Sequence, residues 1–205
     1  MALTMVHLLV ADLWAINHPE FAENGEFFLG VVSPDAIHVR DHDDKSRKDE
    51  FHLYNWRSFH RQPVLDYWRN HQTAFDVGYG VHVLSDCQWV ERYKARLPGL
   101  IKPDGVLDTD TYYNDTFVTD FELYNESPRL QHILELFERA KAPEDHPLLT
   151  ADEFDQWRRM IAQAYRGECP RHDPVRFIDR DYVTRYASDS IPLIEEVYAE
   201  AFNRP

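Results

Sequence analysis

His82 and Asp86 are the two residues whose types and spacing most directly suggest chemistry. They stand four apart in Val77-Gly78-Tyr79-Gly80-Val81-His82-Val83-Leu84-Ser85-Asp86-Cys87-Gln88-Trp89, a run that is otherwise mostly apolar. On a helix this spacing puts an imidazole and a carboxylate on one face, one turn apart. Pointed into an apolar interior, each would cost several kcal/mol if left unpaired, and a divalent cation satisfies both. A buried hydrogen-bonded pair fits the same spacing. Further ligands elsewhere in the chain decide between the two.

The segments upstream supply candidates. Thr4 to Ile16 carries Val6, Leu9, Val10 and Leu13 at helical spacing, with Thr4 as N-cap and His7 on or beside the buried face. Phe27 to Val32 is a short apolar run in which Gly30 permits close backbone approach, and Ser33-Pro34 reads as an N-cap and first helical residue. Asp35 then falls in a first turn, where it either complements the helix dipole or ligates a cation and orients a water beside it. Residues 37–50 are almost wholly polar, lack periodicity and read as a loop. That charge run ends in Phe51-His52-Leu53, so His52 faces inward when its apolar neighbours pack. The loop also offers His38, His42 and Lys48, with Lys45 and Arg47, as weaker candidates for contact with an anion at a pocket mouth.

These residues need helices to position them. Periodicity predicts helices over Gln62–Asn70, about Thr73 to Ala95, Pro128–Lys141, Thr150–Tyr165 and about Arg180–Phe202. Thr150 and Glu153 have capping-box spacing, and Pro192 either interrupts the last helix or starts a second one. Asp120 before Phe121 reads as another helix start, with Asp115, Asp120 and Glu122 either solvated or supplementary ligands. There is no strand alternation and no internal repeat. The expected fold is an all-α single domain over residues 1–205, with the metal-site half at about 4–95 and C-terminal helices at about 110–205.

Composition narrows the partners. Of 205 residues, 22 are Lys or Arg and 36 are Asp or Glu, giving a net charge of −14 that disfavours a nucleic-acid duplex or an anionic membrane as a bulk partner. Two cysteines, Cys87 and Cys169, are too few for a disulfide scaffold, and Cys87 reads as a small core residue. Neither a signal peptide nor an apolar span of transmembrane length is read, so no stable membrane insertion and a cytoplasmic location are expected.

Taken in order, His7, then Phe28-Leu29-Gly30 followed by Pro34-Asp35, then Lys48 and His52, then Gly78-Tyr79-x-x-His82-x-x-x-Asp86 resembles the zinc-dependent phospholipase C family. The resemblance covers roughly residues 4 to 90. It implies a multi-helix bundle of the phospholipase C and single-strand-nuclease type. It also implies one zinc ion held by His52, His82 and Asp86, a neighbouring site formed by His7 and Asp86, and Asp35 as general base or ligand. The family's later His-x-x-x-Glu pair has no counterpart in the stretch after Asp86, so one or two ions are expected rather than three; iron, manganese or nickel would suit the same donors. The implied activity is hydrolysis of a phosphoester bond in a small phosphodiester, a phosphomonoester or a phospholipid head group. A non-catalytic metal-binding or interaction domain with the same fold is the alternative.

Overall fold

The computed structural model describes residues 3–40, 48–53, 61–93 and 97–202, and over these it is helical, with one isolated bridge between Ile101 and Leu107 and no strand. Its centre is α6, Ala74–Gln88, whose residues from Phe75 to Gln88 are all buried. A helix that is apolar nearly all round can only be an interior one, and α1 (Thr4–Ala15), α2 (Gly25–Val32), α5 (Gln62–Asn70) and α10 (Arg180–Phe202) pack around it. Its start is fixed locally. Thr73 Oγ1 accepts from the Asp76 amide at 3.2 Å and the Asp76 carboxylate accepts from the Thr73 amide at 3.0 Å, a reciprocal cap that satisfies two otherwise unpaired donors.

The pairing of α2 with α6 brings the two backbones into contact. A Cβ on Gly30 would lie 2.0 Å from the Phe75 carbonyl oxygen, and one on Gly78 would lie 2.0 Å from that of Phe27. Only hydrogen fits at both positions, and the approach lets the side chains of one helix reach the carbonyls of the other. Asn24 caps α2 by accepting from the Phe27 amide at 3.1 Å.

Several local expectations change. Thr4 is the first residue of α1 rather than its cap, and the capping position, Leu3, makes no side-chain bond. The amides at this end turn instead to α7, Thr109–Glu126, where Asp120 accepts from the Val6 amide at 3.0 Å. Ser33 does not cap the following turn. Its hydroxyl donates back to Leu29 O at 2.6 Å, and Ser33–Ala36 is a 3-10 turn that continues α2. The polar stretch contains two helical turns, α3 (Ile37–Arg40) and α4 (Lys48–Phe51), where a loop was expected; His42, Lys45 and Arg47 lie outside the described residues. The long central helix ends at Gln88 and passes into a π turn, Trp89–Tyr93. Asp120 stands inside α7 and starts nothing, while Pro192 lies within a continuous α10.

On the far side, α8 (Pro128–Arg139) and α9 (Ala151–Arg166) complete the bundle. The expected Thr150–Glu153 capping box at the start of α9 is present. Trp157 of α9 donates through Nε1 to Val32 O at 2.7 Å, tying this layer to the end of α2. Among the described residues, no helix is long and apolar enough to cross a membrane.

Candidate metal centre

α1, α2 with its 3-10 extension, α4 and α6 converge on one point, where they bring His7, Asp35, His52, His82 and Asp86 together. Single donor atoms of His7, Asp35 and His82 all lie within 4.8 Å of one another. His52 Nε2 is 3.5 Å from Asp35 Oδ1 and 3.9 Å from Asp86 Oδ2. The His7 and His82 rings stack with centroids 3.9 Å apart at 20°, and the His52 ring stands edge-on to His82 at 5.3 Å. Donors sit about 2.1 Å from a shared ion, so shifts of up to about 0.7 Å bring the first three to one cation.

The tautomers are set by what the other ring nitrogens touch. His82 Nδ1 donates to Val31 O at 2.7 Å, and His52 Nδ1 donates to Lys48 O at 3.0 Å; a carbonyl can only accept. His7 Nδ1 lies 2.8 Å from Ser85 Oγ. The same hydroxyl oxygen lies 2.8 Å from His82 O, so it bridges His7 and the α6 backbone. His52 and His82 thus carry hydrogen on Nδ1, which leaves Nε2 as the nitrogen with the lone pair when the ring is neutral.

Electrostatics keeps two of these rings neutral. Burial, reinforced by the facing His82, pushes His7 well below its ordinary value, and burial takes His82 down to about 3 against the pull of Asp35. Two stacked imidazolium ions at this distance would also repel. Asp35 shows the opposite balance. Burial disfavours its charge, but the Lys48 ammonium at 3.4 Å and the adjacent His52 outweigh it and hold the carboxyl well below the usual range.

The remaining polar atoms are the most informative. His7 Nε2, His82 Nε2 and both carboxylate oxygens of Asp86 are buried, and none has a hydrogen-bond partner among the described residues. Buried polar groups are normally satisfied, and an ionised carboxylate with neither oxygen bonded is costly. Imidazole lone pairs and carboxylate oxygens, with no thiolate, form a donor set that suits a divalent cation.

The other candidates sit differently. Lys48 is not an exposed contact at a pocket mouth: its side chain is 5 % exposed and ion-paired with Asp35. His38, on α3, lies against the Trp157 ring at 6.3 Å. Asp115 and Asp120 are neither solvated nor near a cation site. One oxygen of Asp115 accepts from the amides of Arg176, Phe177 and Ile178, and Asp120 accepts from the Val6 amide and the Tyr165 hydroxyl. Glu122 is exposed.

Two residues that matter here stand in the 77–89 run, which by itself assigns them no role. Ser85 is a polar residue in an apolar helix one turn after His82, a signal the sequence does hold. Tyr79 donates from its hydroxyl to Phe51 O at 2.5 Å and so fastens the His52 turn to α6; nothing in the sequence marks that bond. Past His52 the chain passes through Leu53 at φ 56°, left-handed backbone that a leucine adopts only at a cost.

No protein-family model, no curated protein and no solved structure matches this chain.

Proposed function

We propose that the protein is a metal-dependent hydrolase of phosphoester bonds in which His7, Asp35, His52, His82 and Asp86 hold one or two divalent cations. Zinc fits the donor set first, and iron, manganese and nickel fit it too. The supporting observation is that donor atoms of His7, Asp35 and His82 lie within 4.8 Å of one another, beside His52 and a buried Asp86 carboxylate with no hydrogen bond among the described residues. Bound there, a cation supplies Lewis acidity and an acidified water.

The chain's own residues do the rest. Asp35 is the one member of the set that reaches solvent, with its side chain 14 % exposed, so substrate approaches along its edge. Its carboxylate, ionised beside Lys48, is placed to orient an attacking water and accept its proton. Lys48, buried behind that edge, supplies the positive charge that keeps the Asp35 carboxylate ionised. The substrate is a small phosphodiester, a phosphomonoester or a phospholipid head group.

Elemental analysis of the purified protein after incubation with zinc tests the first half of this reading. At least one equivalent is expected, and less than about half an equivalent overturns it. Hydrolysis of a chromogenic phosphodiester tests the second half; it should be lost in Asp35→Asn and in His82→Ala, and activity surviving both sinks the assignment. Stoichiometric metal without turnover on any phosphoester would favour a non-catalytic metal-binding or interaction domain. The near-complete burial of four of the five donors is the feature that favours that second reading.

A further inference from the structure

We infer that Ser85 is a positioning residue that selects the metal-binding tautomer of His7, and with it locks α1 to α6 at the centre; this rests on the metal-binding reading above. Ser85 is fully buried and its hydroxyl has two short contacts, Nδ1 of His7 and O of His82, both at 2.8 Å. The 2.8 Å contact with His82 O gives the hydroxyl proton an acceptor there, and we place it on that side. The remaining lone pair of Oγ therefore faces His7 and requires a hydrogen on Nδ1.

The consequence falls on the other nitrogen. A free neutral imidazole prefers its hydrogen on Nε2, which would aim an N–H at Asp86 and His82 and block ligation. Ser85 reverses that preference. The other two imidazoles get the same service from main-chain carbonyls, those of Val31 and Lys48, which no substitution removes. His7 alone depends on a side chain. Its ring is the contribution of α1, so the Ser85 hydroxyl is also the one side-chain link between α1's donor and the helix carrying His82 and Asp86. Tyr186 of α10, donating to Ser85 O at 2.8 Å, holds the same residue from behind. Groups that fix a metal-binding histidine in this way are worth about ten- to a hundredfold in metal affinity.

Nitrogen-15 NMR of the metal-free protein at neutral pH reads the tautomer directly. In the wild type the His7 resonances should report hydrogen on Nδ1, and hydrogen on Nε2 there overturns the inference without any variant. In Ser85→Ala the His7 signals should move toward the Nε2–H form while those of His52 and His82 stay put, and zinc affinity by chelator competition should fall about ten- to a hundredfold. Ser85→Thr, which keeps the hydroxyl, should restore both readouts. His7 signals unchanged in folded Ser85→Ala, or unchanged zinc affinity, refute the role; if Ser85→Ala does not fold, Ser85→Thr must still show the wild-type tautomer. A wild type that binds no zinc yet shows the Nδ1–H tautomer would remove the metal reading and leave the tautomer assignment standing, so the two failures are distinguishable.

Discussion

Asp86 carries a burial penalty that a bound cation would relieve. Both of its oxygens are buried with no hydrogen-bond donor among the described residues, so an ionised, metal-free Asp86 opposes folding. Asp86→Asn should therefore be at least as stable as the wild type in the presence of a chelator, by about 1–3 kcal/mol if the charge is the dominant cost. With zinc at a thousandfold excess over its dissociation constant the order should invert, because the wild type then gains about 4 kcal/mol that the variant cannot. Chemical denaturation of both proteins with and without chelator checks the crossing. The burial of Asp86 was legible in the sequence, because it stands one turn from a histidine inside an apolar run; the partner of its carboxylate was not. Nor was the burial of Lys48. Its setting, a run of charged residues, resembles solvated surface, and only the fold reveals that its ammonium is shut in against Asp35.

Among the helices, the α2–α6 contact is the one whose geometry the centre cannot do without. The His82–Val31 bond crosses it, and the two glycines that allow it leave no space for a methyl group. Gly78→Ala and Gly30→Ala should each destabilise the protein by about 1–3 kcal/mol or more, well beyond the ~1 kcal/mol that alanine gains in helix propensity. Urea midpoints measure this, and zinc affinity should fall with them. Apolar periodicity was enough to place α5, α8, α9 and α10, and a capping box announced α9. Boundaries failed where partners lie far away in sequence. Thr4 was read as a cap because it is a threonine, whereas the end of α1 is held by Asp120, more than a hundred residues on. The apolar run before Ser33 revealed no helix by itself, because the Asn24 cap and the two glycines acquire meaning only once α6 lies alongside.

For the molecule as a unit, α7 acts as an internal fastener, and its polar residues were misread for that reason. Asp115 gathers three amides of the 176–178 connector, Thr119 donates to Ile178 O at 2.6 Å, and Asp120 holds the start of α1. Acidic residues in sequence suggest water or cations, because the amides that satisfy them carry no residue signature. Asp120 also shapes the pH response. Burial lifts its carboxyl from 3.8 to about 7 although Tyr165 and the Val6 amide favour the ion. A carboxyl raised in the folded state stabilises most below its unfolded value, and that contribution is lost as pH rises through about 7. His7 and His82 slope the other way: lowered in the folded state, they cost stability as pH falls below 6.5. Between about pH 4 and 6.5 the two effects oppose each other in the metal-free protein. Asp120→Asn, which keeps an acceptor for Val6, should steepen the rise of stability with pH in that window by about 1.4 kcal/mol per unit. Urea unfolding at several pH values would reveal it; an unchanged slope would show that Asp120 ionises as an ordinary carboxyl.

The Lys48–Asp35 ion pair has a kinetic meaning as well. Asp35 is the one donor open to solvent, and an ammonium already rests against it. On the metal-binding reading, an arriving cation would push aside a positive charge before it meets the imidazoles behind, and a departing one would leave by the same route. Uptake and loss should then both be slow, and the metal content of a given molecule would record which ion it met while folding more than which it prefers at equilibrium.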